Sequence, residues 1–166
     1  MRRIRLVLAE SYANNCFAEV LIEALGLNLN PFHTSKLSRE KVLRKALKAL
    51  EMLSDDEAEL IVIDHERAPF ARKWVDENFE KEAVYEDKMY VGVFKRDERL
   101  TAVIFDPDIE EFLCRAVDRR YCREEERKAL KRGSSYRTFK ELRELIRARR
   151  EIINDVVSAL YKRLGL

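Results

Sequence analysis

Leu60-Ile61-Val62-Ile63-Asp64-His65-Glu66-Arg67 is a run of four apolar residues that stops on two acids one residue apart. A run this short and rich in β-branched side chains is the pattern of a strand buried on both faces, and such strands belong to parallel sheets covered by helices. Asp64 and Glu66 then stand at its carboxyl end. Open α/β sheets bind ligands there, in loops that the strands hold still.

Upstream, Ile4 to Ala9 reads as the first strand and ends on Glu10 in the same way, so two strands deliver acids to one edge. Ser11 or Asn14 is placed to cap the helix that follows, whose Phe17, Val20, Leu21, Ala24 and Leu25 recur at the spacing of a buried face. Gly26 supplies its stop. Asn28 to Thr34 is a turn-rich connection or a short edge strand, because Pro31 cannot sit in a central one. Ser38 opens a second helix carrying Val42, Leu43, Ala46, Leu47 and Leu50, and Pro69 opens a third carrying Phe70, Trp74, Val75 and Phe79.

Met89 to Phe94 and Leu100 to Phe105 follow, joined by the charged link Lys95 to Arg99. The link permits a hairpin; a further parallel pairing is the alternative. Asp106-Pro107-Asp108 opens a helix from Ile109 to Cys114. Beyond it the chain is helical and basic, interrupted at Gly133-Ser134-Ser135. Thr138-Phe139-Lys140-Glu141 reads as a capping box that begins the last helix. Its stripe of Phe139, Leu142, Ile146, Ile153, Val156, Leu160 and Leu164 packs either on the body or on a second copy, as a homodimer. The expectation is an α/β domain over residues 1–115, with a mostly parallel central sheet of about four strands flanked by helices. A basic helical extension, residues 116–166, packs on it.

Composition bounds the function. At 166 residues the chain is the size of one domain. Its 46% apolar content, with four Gly and three Pro, excludes a disordered or collagen-like chain. Charged residues of both signs make up 39%, as in the ion-paired surfaces of thermophile proteins. The net charge of +2 is unevenly placed. From Arg115 onward 16 Lys and Arg face 8 Asp and Glu, giving +8 there and −6 before it. A basic appendage points to a polyanionic partner such as nucleic acid. Cys16, Cys114 and Cys122 lack the paired spacing of a zinc site and fit a reducing cytosol as small core residues. No apolar run approaches the roughly 20 residues of a membrane span, and the amino-terminal run is too short for a signal peptide. A cytoplasmic protein with no membrane partner is expected.

Glu10, Asp64 and Glu66 are the constellation that can carry chemistry. Carboxylates with water and a substrate phosphate are how proteins hold Mg²⁺, with Mn²⁺ as a substitute; Asp64 and Glu66 are the expected ligands, and Glu10 the third or a proton carrier. His65 lies between the acids and by strand alternation points away from them. His33 stands alone. Ser11, Ser134 and Ser135 have no base nearby in sequence, and no phosphate-cradling Gly-rich loop exists. Tyr12, Tyr121 and Tyr136 are candidate nucleophiles that nothing local distinguishes. Arg119, Arg120, Arg147, Arg149 and Arg150 are the candidate nucleic-acid contacts, or else ordinary ion-pair partners of neighbouring acids.

The order of these elements resembles the topoisomerase-primase (Toprim) fold, specifically small single-domain relatives of the nuclease half of overcoming-lysogenization-defect proteins. The resemblance rests on Leu6-Val7-Leu8-Ala9-Glu10 running into a helix, on Asp64-His65-Glu66 after a later strand, and on Val103 to Glu110, and it covers roughly residues 4 to 115. It implies Mg²⁺ on the acidic pair and Glu10 as general acid or base, in nuclease or nucleotidyl-transfer chemistry. Ser11 stands where the family usually has Gly, Glu66 where it has Asp, and its Gly-rich connection is represented by Gly26 alone. A non-catalytic Toprim-like module binding nucleic acid or protein is the alternative.

Overall fold

The Leu60 run is the second strand of a five-stranded sheet. The computed structural model describes residues 2–32, 38–132 and 136–166; the His33 candidate and the Gly133-Ser134-Ser135 interruption lie outside the described residues. The chain forms β1 (Arg3–Ala9), α1 (Tyr12–Ala24), α2 (Arg39–Leu50), β2 (Glu57–Asp64), α3 (Pro69–Asn78), β3 (Phe79–Tyr85), β4 (Met89–Phe94) and β5 (Leu100–Phe105). It continues through α4 (Ile109–Phe112), a π-helical turn (Leu113–Val117) and a 3₁₀ turn (Arg119–Cys122) to α5 (Glu124–Arg132), α6 (Tyr136–Ala148) and α7 (Arg150–Leu164).

Strand order is β1-β2-β5-β4-β3. β1, β2 and β5 are parallel, with Leu8 opposite Ile61 and Val62 opposite Val103, whereas β4 pairs antiparallel with both β5 and β3. The sheet is therefore mixed, where a mostly parallel one was expected. The link Lys95 to Arg99 is too short for a crossover and reverses the chain into a hairpin. It also has five strands instead of about four. β3 escapes a sequence reading because Glu80, Lys81 and Glu82 interrupt its apolar residues, and this half-exposed edge strand takes over from α3 at Phe79. Phe79 packs so closely on β4 that a Cβ at Gly92 would meet it at 3.2 Å, which explains the glycine within that strand.

Helices cover both faces. Val42, Leu43, Ala46 and Leu50 of α2 and Val75 of α3 pack on Leu8, Ile61, Ile63 and Ile104. On the other face Phe17 and Leu21 of α1, Phe112, and the apolar sides of α5, α6 and α7 pack on Val7, Leu60, Val62 and Val103. Each Val, Leu, Ile or Phe among them contributes about 1.5–3 kcal/mol through its burial. The stripe offered to a second copy is thus divided between α6 and α7 and lies against the sheet of its own chain, so the basic segment and the sheet share one core.

Two further expectations change. The last helical segment does not begin at Thr138: α6 is already helical at Tyr136, and the break falls at Arg149, whose ψ of 64° leaves the helix. Cys114 and Cys122 are not core thiols. The π and 3₁₀ turns bring their Cα atoms to 4.7 Å, within disulfide range, and they are bonded, so two of the three cysteines no longer support a reducing compartment. Only Cys16 is a small core residue, its thiol pushed up to about 12 by burial. No helix among the described residues is long and apolar enough to cross a membrane.

Candidate metal centre

β1 and β2 are neighbours and parallel, so Glu10 and Asp64 leave the sheet at the same edge. Each is held by bonds the sequence makes locally. Ser11 caps α1, its Oγ accepting from the Asn14 backbone N–H at 3.3 Å, and this sets Asn14, fully buried, one turn into the helix. Asn14 Nδ2 donates to Asp64 Oδ1 at 3.1 Å, and the backbone N–H of Ile109, at the start of α4, donates to the same oxygen at 2.9 Å. The Asp64 N–H in turn donates to Glu10 Oε1. Three elements are thereby tied around one carboxylate.

Glu66 enters differently. Its φ is +72°, the left-handed region that costs a non-glycine residue about 1–2 kcal/mol. Its N–H donates to the Pro107 carbonyl at 2.8 Å, and its carbonyl accepts from Arg72 at 3.0 Å. Arg72 is itself fixed by a fork to Asp106, at 2.7 and 3.1 Å. The backbone is held in a conformation it would not choose, and the carboxylate joins the other two. One oxygen from each of Glu10, Asp64 and Glu66 lies within 4.8 Å of the others.

The three acids line a cleft of about 420 Å³ together with Asp108 and Glu110 and, as its one cation among the described residues, Lys131. Glu10 is 8% exposed and Asp64 9%. Burial pushes Glu10 up to about 8, against the Asp64 N–H bond and Arg39, with repulsion from Glu66 and Glu110 adding to the rise. Asp64 is held well above the usual carboxylate range by burial first, then by Glu10 and Glu110. Glu110 is raised by burial and by Asp108, with Lys131 and Arg127 opposing. Excess negative charge in a partly dry cleft is the electrostatic condition that a bound cation relieves.

No family model, curated protein or solved structure matches this chain. The reading of the site therefore rests on its geometry.

The predicted acids converge; the predicted arginines do not. Arg120 lies 3.4 Å from Asp118 and 3.5 Å from Glu141, Arg147 pairs with Glu23 at 3.0 Å, and Arg149 donates twice to the Val117 carbonyl, at 2.8 and 3.1 Å. Arg150 borders a small separate cavity beside Arg147. Neither these four nor Arg119 lines the acidic cleft.

His65 points away from the acids, as alternation predicts. It is 1% exposed, with Nε2 2.9 Å from Asp76 Oδ1 and Nδ1 3.3 Å from Asp106 Oδ2. Of the three tyrosines only Tyr12 lines the cleft, stacked on Phe139 at 5.4 Å between centroids. Tyr121 is buried, its phenol pushed up to about 12, and Tyr136 is exposed on α6. Sequence reasoning missed Asn14 as an orienting group and Asp108 and Glu110 as site acids. The available signal was the Asp-Ile-Glu at a helix start directly after a strand, which reads first as helix-dipole chemistry.

Proposed function

We propose that Asp64 and Glu66 hold a divalent cation, Mg²⁺ or Mn²⁺, with Glu10 beside them, and that this edge of a Toprim-like fold carries out phosphodiester chemistry on nucleic acid as a nuclease or nucleotidyl transferase. The observation that carries this reading is the convergence of three carboxylates within 4.8 Å at the carboxyl ends of two parallel strands. The donor set suits the ion: hard oxygen ligands, on side chains whose own repulsion a cation offsets. When bound, the ion supplies Lewis acidity toward a phosphoryl oxygen. The chain's own residues do the rest. Asn14 and the Ile109 N–H fix the orientation of Asp64, and Arg72 fixes the Glu66 backbone. Glu10, raised by burial and by the neighbouring carboxylates, stands beside the pair as the group placed to exchange a proton with an attacking or leaving oxygen.

A second reading, a binding module without catalysis, is favoured by one detail. Asp64 Oδ1 already accepts two hydrogen bonds, which leaves its other oxygen as the freer ligand. One assay separates the two. Labelled DNA and RNA are incubated with the protein over a range of Mg²⁺ and Mn²⁺, beside Asp64→Ala. Metal-dependent cleavage that disappears in the variant supports the catalytic reading. Cleavage that survives it, or none under any condition, refutes that reading.

A further inference from the structure

α2 carries five Lys and Arg against one Glu. Lys41, Arg44, Lys45 and Lys48 follow the i, i+3, i+4, i+7 spacing of one helical face, and all four are exposed while Val42, Leu43, Ala46 and Leu50 are buried behind them. Arg44 and Lys48 have no ion-pair partner among the described residues, and Lys45 lies over the Phe32 ring at 4.9 Å instead of facing an acid. This is the reverse of the carboxyl-terminal arginines, several of which are neutralised within the fold.

Beside the stripe runs a groove of about 300 Å³ between β1 and α2, floored by Leu6, Leu8 and Phe32 and rimmed by Lys45 and Lys48. Phe32 is 44% exposed, and Met52 at the far end 86%. The other end of α2 meets the acidic cleft, because its N-cap Ser38 lines that cleft. At 1.5 Å per residue the stripe extends about 10 Å, long enough for its side chains to reach roughly two or three consecutive phosphates of a strand.

We propose that α2 and its groove form a track for single-stranded nucleic acid leading into the cleft, with phosphates on Arg44, Lys45 and Lys48 and a base on Phe32. A basic rim beside an exposed aromatic floor is the chemistry that recognises a single strand, whose bases are free to stack, over a duplex, whose bases are not. A protein segment would need acidic residues to satisfy the rim and has no use for the alignment with the cleft. The proposal supplies the substrate class for the function proposed above and rests on that reading for its consequence, but not for its test.

Binding is measured by fluorescence anisotropy with labelled 12-mer single strands and a matching duplex, in EDTA, so that neither a cation nor cleavage enters. The single strand is expected to bind more tightly than the duplex. The Arg44→Ala/Lys45→Ala/Lys48→Ala variant is expected to lose at least tenfold in affinity and to reduce the slope of log K against log salt by about 2, at about 0.7 per phosphate contact. Alanine suits exposed helix positions, so this variant keeps its circular dichroism. Phe32→Ala is expected to weaken single-strand binding about tenfold without changing the slope, and Arg147→Ala to change neither. Tighter duplex binding, a triple variant that binds like the parent, displacement by polyglutamate as effective as by unlabelled oligonucleotide, or no binding at low salt would each overturn the track. A protein that binds single strands here and yet cleaves nothing in Mg²⁺ keeps the track and loses the catalytic reading.

Discussion

Glu59→Gln should stabilise this protein, and by an amount that grows with pH. Glu59 lies in the amino-terminal half of β2, fully buried, with no hydrogen-bond partner for either carboxylate oxygen among the described residues. Burial pushes it from 4.5 up to about 8, with Asp97 adding repulsion and Arg99 opposing. In the unfolded chain it gives up its proton as pH passes 4.5, whereas the native chain keeps that proton until about 8. Stability contributed by this group is therefore lost as pH rises through that window and is level above it. At about 1.4 kcal/mol per pH unit the loss is about 3 kcal/mol by pH 7 and about 5 kcal/mol above pH 8. Glutamine has the same shape and no charge to desolvate. Urea titrations of parent and variant at pH 5, 6, 7 and 8 give the difference directly, and the difference is what matters because Glu10 and Asp64 tilt both curves alike. An advantage below about 1 kcal/mol at pH 5 that rises to several by pH 8 is expected. A pH-independent difference, or a variant less stable throughout, would mean that the carboxylate is paired in the native protein and that the reasoning is wrong.

Other outcomes follow from the same geometry. Mg²⁺ at about 100 times its dissociation constant should stabilise the parent by roughly 2.7 kcal/mol, a rise in Tm of several degrees, and leave Asp64→Asn unmoved; differential scanning fluorimetry reads both. Glu66→Gly relieves a φ of +72° and removes a charge that repels Glu10, so it should melt higher, by about 1 kcal/mol, while losing the Mg²⁺ response. Asn14→Ala leaves a buried oxygen of Asp64 with one donor fewer and should cost about 1–3 kcal/mol in urea titrations. Cys114→Ser opens a loop whose cysteines are eight residues apart and should cost about 2.5 kcal/mol, the same loss that reductant produces in the parent and does not produce in the variant.

The acidic edge was legible because strand and acid are adjacent in the chain. Ala9-Glu10 and Ile63-Asp64 each place a carboxylate at the end of an apolar run, and two parallel strands then bring them together without any information from elsewhere. Asp108 and Glu110 were harder. Their place depends on β5 lying beside β2, a pairing between residues about forty apart that no local pattern encodes. β3 was hidden by its own edge position, since a strand with one solvated side needs only half an apolar pattern. The disulfide follows from a π turn next to a 3₁₀ turn, neither of which has a sequence period. The basic tail misled for a related reason. Charge counted along the chain cannot show which arginines have carboxylates across the fold: Glu23 and Glu141 neutralise Arg147 and Arg120 from other elements, whereas Arg44 and Lys48 on α2 have no ion-pair partner among the described residues.

The unfavourable groups in this fold fall into two kinds, and the cleft separates them. Glu10, Asp64 and Glu110 are raised by burial and by neighbouring carboxylates, and Glu66 is held in a left-handed backbone, yet all four face a cavity that an ion can enter. Glu59 has the same desolvation but faces packed side chains near the opposite end of β2 and is not among the residues lining the cleft. A cation can relieve the first kind and not the second. Saturating Mg²⁺ should therefore reduce the pH dependence of stability without abolishing it, and the remainder should vanish when Glu59→Gln is introduced in the same buffer. If Mg²⁺ alone abolished it, Glu59 would have no part in the pH response. If Mg²⁺ changed nothing, the four acids would be a structural cluster and not a metal centre.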